Sequence, residues 1–139
     1  MDITIEKAQA KVPVTIIKLS GKLDATCYRD VIAKAIEIYQ SGGRDLLLDL
    51  SGVDFMSSSG LVALHSAALV MRGETPRSSE DGWSAIHALS DYIDDASGLE
   101  KHFKLLGPQE RVLSTLVKTG FDQTFDIFQD REAALASFG

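Results

Sequence analysis

Residues 46–61 read Leu46-Leu47-Leu48-Asp49-Leu50-Ser51-Gly52-Val53-Asp54-Phe55-Met56-Ser57-Ser58-Ser59-Gly60-Leu61, and they decide the fold. Leu46 to Leu50 is short and mostly apolar, with no polar alternation. Such a run reads as a strand buried on both faces, as strands of parallel sheets are. Ser51-Gly52-Val53-Asp54 reads as a turn. From Gly60 to Met71 the chain is apolar nearly all round, through Leu61, Val62, Ala63, Leu64, Ala67, Ala68, Leu69 and Val70. A helix of that kind is largely buried. Ser57 or Ser58 is placed to cap its start.

Upstream, Ile3 and Ile5 alternate with Thr4 and Glu6, the pattern of an edge strand. Val12 to Leu19 is rich in β-branched residues, and Ser20-Gly21 is expected to end it. Pro13 is tolerable at a strand beginning. Together the two segments suggest an antiparallel pair. Tyr28, Val31, Ile32, Ala35, Ile36 and Tyr39 recur at helical spacing until Ser41-Gly42-Gly43 stops them.

Downstream, residues 74–98 change character. Their first part is polar and rich in breakers, which predicts a loop. Trp83 to Ile93 has the spacing of a short helix. His102 to Gly107 then reads as a strand and Pro108 to Lys118 as a helix, with Pro in its first turn and Gly120 at its end. Thr124 to Phe128 reads as a last strand, and Asp130 to Ser137 as a terminal helix capped by Asp130. Strands alternating with helices imply a mostly parallel sheet with right-handed crossovers.

The chain has 139 residues, the size of one domain able to bury a real core. Its net charge of −6 and scattered basic residues speak against direct nucleic-acid binding. Cys27 is the only cysteine, so no internal disulfide can form, in keeping with a reducing compartment. Nothing resembles a signal peptide, and no apolar run reaches the ~18 residues of a membrane span. The expected location is the cytoplasm. His65, His87 and His102 show no metal-ligand spacing, and no metal or cofactor is expected.

An enzyme finds little support. There is no phosphate-binding loop and no recognisable Ser-His-Asp arrangement. His65 lies seven residues beyond Ser58 on one helix, about 10 Å away, too far to activate it. A single Cys at a helix start is more often a packing residue.

Four segments carry a resemblance to the STAS domain family, the anti-sigma factor antagonists of bacteria. They are Thr15-Ile16-Ile17-Lys18-Leu19-Ser20-Gly21-Lys22-Leu23-Asp24; Leu46-Leu47-Leu48-Asp49-Leu50-Ser51-Gly52-Val53; Phe55-Met56-Ser57-Ser58-Ser59-Gly60-Leu61; and Leu106-Gly107-Pro108 leading into Leu116-Val117-Lys118-Thr119-Gly120-Phe121. The resemblance implies one α/β domain over residues 1–139, interrupted by an insert at about 74–98. Its sheet would have four to five mostly parallel strands with an antiparallel N-terminal edge strand, and its helices would pack mainly on one face.

The resemblance also implies a function. In the family, the first Ser of an Asp-Ser-Ser-Gly motif is phosphorylated by a partner that is both kinase and anti-sigma factor. That position falls on Ser58, with Ser57 and Ser59 as the alternative acceptors. The unphosphorylated domain would bind the anti-sigma factor, and a phosphatase would restore it after phosphorylation. The implied partner surface comprises Asp24, Met56, Ser57, Ser58, Ser59, Gly60 and Leu61. Homodimerisation is compatible with this.

Spacing alone reads the three serines as a helix cap and nothing more. Asp24 has two readings of equal weight, a docking residue or the N-cap of a helix over residues 25–40. Asp49 and Asp54 read as strand-end and turn residues. Two departures stand out: Ser57 occupies the family's usual Asp position, and about 25 residues are inserted where a short connection is the rule. Other STAS roles compete, namely an accessory subunit of a lipid-transport ATPase or a phosphorylation-independent scaffold.

Overall fold

The computed structural model describes residues 2–73 and 101–138. The insert at 74–98, and the helix expected within it at Trp83–Ile93, lie outside the described residues. Strands β1 (Asp2–Gln9) and β2 (Pro13–Leu23) lead to helix α1 (Tyr28–Gln40), and strand β3 (Leu46–Met56) leads to helix α2 (Ser58–Met71). After the break come β4 (Phe103–Leu106), α3 (Glu110–Lys118), a 3-10 turn at Phe121–Gln123, β5 (Ile127–Phe128) and α4 (Arg131–Ala136).

The five strands lie in the order β1-β2-β3-β4-β5. β1 runs antiparallel to β2 with Ile5 opposite Ile17, and all later pairs are parallel. This is the mixed sheet with an antiparallel N-terminal edge strand that the sequence predicts. On one face, the apolar stripes of α1, α2 and α3 close over Ile17, Leu19, Leu46, Leu48, Leu50, Phe103 and Leu105. On the other face a smaller cluster of Val14, Ile16, Leu47 and Leu106 is covered by Ala134 and Phe138 from the C-terminal segment.

Two expected breaks are absent. Ser20-Gly21 does not end β2, and Ser51-Gly52-Val53-Asp54 is no turn: β2 continues to Leu23 and β3 to Met56. The two glycine-bearing stretches lie side by side, with Ser20 against Gly52 and Gly21 against Val53. The register shifts on both sides of this contact, each time with one extra residue in β3, so Ser51-Gly52-Val53-Asp54 is bulged strand rather than a chain reversal and Ser20-Gly21 runs on as strand beside it. Gly52 is required by close approach, since a Cβ there would stand 2.7 Å from the Leu19 carbonyl oxygen. Asp49 fixes the bulge from below, its buried carboxylate accepting the Ser51 N–H at 2.9 Å.

Smaller differences have local causes. α2 begins at Ser58, two residues before Gly60, because Ser57 caps it. The expected strand from Thr124 shrinks to Ile127–Phe128, because Phe121 and Phe125 turn into the core. Phe125 sits edge-on against Phe103 at 5.3 Å and against Phe121 at 5.5 Å. The Asp130 cap is present, its carboxylate accepting the Ala133 N–H at 3.3 Å.

Candidate functional site

β2 and β3 each run several residues past the end of β4, and α1 and α2 both start from this projecting end of the sheet. At the end of β3, Ser57 adopts an extended backbone, and its N–H donates to the Leu23 carbonyl at 3.0 Å. Its hydroxyl donates to the same carbonyl at 3.4 Å and accepts the Gly60 N–H, also at 3.4 Å. Both bonds are long, so the cap is real but modest. Gly60 allows this tight start: a Cβ there would meet Met56 Cγ at 2.7 Å and the Leu23 carbonyl oxygen at 2.8 Å.

Ser58 is the first residue of α2, and it is exposed. Ser59 is half-buried. First-turn N–H groups have no intrahelical acceptor, and the positive end of the helix dipole lies there. The Ser58 hydroxyl therefore sits in solvent at a place that favours an anion. Met56 and Leu61 are only 5% and 7% exposed and belong to the main core. With buried Gly60, they support the surface from beneath and do not present side chains on it.

Asp24 closes the turn between β2 and α1. Its carboxylate accepts the Thr26 hydroxyl at 2.6 Å and the Thr26 N–H at 3.0 Å. These bonds, the hydroxyl first and the N–H second, hold the carboxyl below its ordinary value near 3.8. The N-cap reading of Asp24 is overturned, because the α1 N-cap is Cys27, which makes no side-chain capping bond. Asp24 spends its acceptors on the preceding Asx-type turn instead. Cys27 is buried, and its thiol donates to the Lys22 carbonyl at 3.1 Å.

Two residues of this end were not singled out from the sequence. Phe55 is 39% exposed, and the Lys22 ammonium stands 5.8 Å from its ring centroid. The register puts Lys22 opposite Phe55 only because a bulge intervenes, and alternation alone does not foresee that. Of the other candidates, Asp54 is exposed on β3, and His65 is buried within α2. No group of three His, Cys, Asp or Glu residues suited to a metal occurs among the described residues. No described helix is long and apolar enough to cross a membrane.

Comparison with known proteins places this arrangement. Residues 6–72 match the sequence model of the STAS domain. Several solved structures share the fold. An anti-sigma factor antagonist from Mycobacterium paratuberculosis superposes with a TM-score of 0.64 at 18% identity, over 98% of this chain and 93% of that one. The Bacillus cell fate determinant SpoIIAA in its phosphorylated form gives 0.55 at 16% identity, over 96% of both chains. The anti-sigma factor antagonist SpoIIAA in its unphosphorylated form gives 0.54 at 16% identity, over 96% of this chain and 93% of that one. No curated protein sequence matches the chain. By sequence, the segment 6–72 is similar to the STAS domain, and the described residues share the fold of these solved structures.

Proposed function

We propose that this chain is an anti-sigma factor antagonist. It binds a kinase-type anti-sigma factor through the surface around Ser58, and phosphorylation of Ser58 switches that binding off. The observation that carries the reading is the division between neighbouring serines. Ser57 is held at the α2 cap while Ser58 stands exposed beside it, at the helix N-terminus. A phosphate at Ser58 adds about −1.5 to −2 charge and three acceptor oxygens. The backbone already suits an anion there, so the domain need not refold. The partner, however, would meet a new charge in the middle of its contact, and every ~1.4 kcal/mol of lost complementarity lowers affinity tenfold.

Asp24 and Ser59 extend the surface on either side, on the supports provided by Met56, Gly60 and Leu61. The family to which residues 6–72 match is regulatory rather than catalytic, and this reading assigns the chain no reaction of its own. A phosphatase resets the switch, the chain acts in the cytoplasm, and residues 1–139 work as one domain carrying an insert. SpoIIAA has been solved in both phosphorylated and unphosphorylated forms, which supports a phosphorylation switch on this fold.

Intact-mass analysis tests the reading. The protein is incubated with ATP and its anti-sigma kinase, and wild type is compared with Ser58→Ala. One added phosphate in wild type and none in Ser58→Ala is the expected result. Phosphate retained in Ser58→Ala moves the acceptor to Ser57 or Ser59. Kinase binding without any phosphate transfer would leave a phosphorylation-independent scaffold.

A further inference from the structure

The two edges of the sheet are built differently. β5 is an edge of two residues, too short to recruit another strand. β1 is an edge of eight, paired with β2 along its whole length without a register shift. It contains no proline and no glycine, and among the described residues nothing pairs with its outer side. Natural edges of this length usually carry a bulge, a proline, a cover or charged side chains, and of these β1 has, among the described residues, only the charges of Asp2, Glu6 and Lys7. At its centre β1 places Ile5, 41% exposed and one of three exposed large hydrophobic residues among those described.

We propose that β1 is a homodimerisation strand, pairing antiparallel with β1 of a second copy about a two-fold axis at Ile5. The second copy is selected by the charge pattern. In an antiparallel pair of identical strands, like charges directly opposite each other are unfavourable. Centring the pair on Thr4 sets Asp2 against the second copy's Glu6. Centring it on Glu6 sets two glutamates face to face, and centring it on Lys7 does the same to two lysines. Centring it on Ile3 leaves only a short overlap. Centred on Ile5, Ile5 meets Ile5, Thr4 meets Glu6, Ile3 meets Lys7, and Asp2 meets Ala8, with no like charges opposed.

Side chains alternate along a strand, so Ile3, Ile5 and Lys7 share one face. Ile3 already packs against the main core. The dimer would therefore extend that apolar layer across the axis as Ile3-Ile5-Ile5-Ile3, with the Lys7 stems lying over its ends. Such an interface is isologous and closes at two copies, joining two five-stranded sheets into one. Each copy carries a net charge of −6, so added salt should strengthen the association by screening that repulsion.

Sedimentation velocity on the full chain between about 10 and 500 µM, which brackets a micromolar-class association, reads the state directly. The expected result is a monomer–dimer equilibrium that shifts toward dimer as salt rises. Ile5→Lys and Ile5→Glu should each be monomeric, since each opposes like charges at the axis, and circular dichroism should show both folded. Mixing these two variants should restore a one-to-one dimer by native mass spectrometry, which a folding defect could not do. A wild type that stays monomeric at the highest concentration overturns the proposal. So does a dimer that Ile5→Lys leaves intact, which places the interface elsewhere, and so does a mixture that fails to associate.

Discussion

Ser57 has φ −89° and ψ 178°, outside the helix, and its hydroxyl reaches both the Gly60 N–H and the Leu23 carbonyl; Ser58, one residue on, is helical and exposed. The same side chain thus has a structural part at one position and none at the next. Ser57→Ala should cost about 0.5–1 kcal/mol, at the low end for N-caps because the bonds are long. Ser58→Ala should stay within about 0.5 kcal/mol of wild type. Urea denaturation with equal slopes reads both, and equal losses would show that the cap is shared. Asp24 makes a second prediction at this scale. Its pKa is depressed by the Thr26 hydroxyl, then by the Thr26 N–H. A depressed acid contributes stability above its ordinary value, and that contribution disappears as pH falls through the folded value. Asp24 therefore stays ionised from pH 8 to pH 5, and any pH dependence of partner binding in that window must come from another group. A carboxyl NMR titration should find its midpoint below 3.8, and Thr26→Val should raise it. At this scale the spacing places the three serines at a helix N-terminus, and it is the resemblance, not the spacing, that singles out Ser58. The sequence leaves Asp24 divided between two readings, because an Asx turn and an N-cap use the same residue type a few positions apart.

Among the elements, β3 differs most from its sequence pattern. Ser51-Gly52-Val53-Asp54 has the composition of a turn, yet it lies within an eleven-residue strand. Composition within one strand cannot separate a turn from a bulge. The distinction lies across the pair, where Ser20 lies against Gly52 and a Cβ at Gly52 would stand 3.2 Å from the Ser20 Cα. Gly52→Ala would drive a Cβ into the Leu19 carbonyl, and backbone yields less readily than a side chain. The expected loss is about 1–3 kcal/mol, the range for overpacking. Amide hydrogen exchange should show the fraying concentrated at Ser20–Leu23 and Val53–Met56, the strand ends that carry the α2 cap. An alanine accepted with less than about 0.5 kcal/mol lost would show that the two strands can part there without consequence. α1 was legible because one buried face set its period, and the start of β2 because of its β-branched run, although its end was not.

At the scale of the whole molecule, the described residues are asymmetric about the sheet. Three helices close one face with a large core, whereas a short C-terminal helix closes the other with a small one. The order of elements along the chain was legible in the sequence, and helices mainly on one face followed from the resemblance. The second face was not legible, because its cover is made by single residues from distant segments. Phe138 is 1% exposed there, packed with Val14, Ile16, Leu47 and Leu106. Beside it the Lys104 ammonium donates to the Ser137 carbonyl and hydroxyl, each at 3.0 Å, and stands 4.9 Å from the Phe138 ring centroid. Such a buried ammonium is kept by these partners and by Asp126 at 3.7 Å, so the terminal segment and the lysine hold each other. Phe138→Ala should then cost about 3 kcal/mol, lowering the melting temperature by roughly 10 °C. It should leave partner binding at Ser58 unchanged wherever the protein is folded, because Met56 and Leu61 beneath that surface belong to the other core. Met56→Ala supplies the contrast: with a comparable loss of stability, it should also weaken binding, since its side chain lies against the start of α2. Calorimetry and a binding isotherm on the same samples separate the two effects, and equal binding losses in both variants would mean that the two faces of the sheet are coupled.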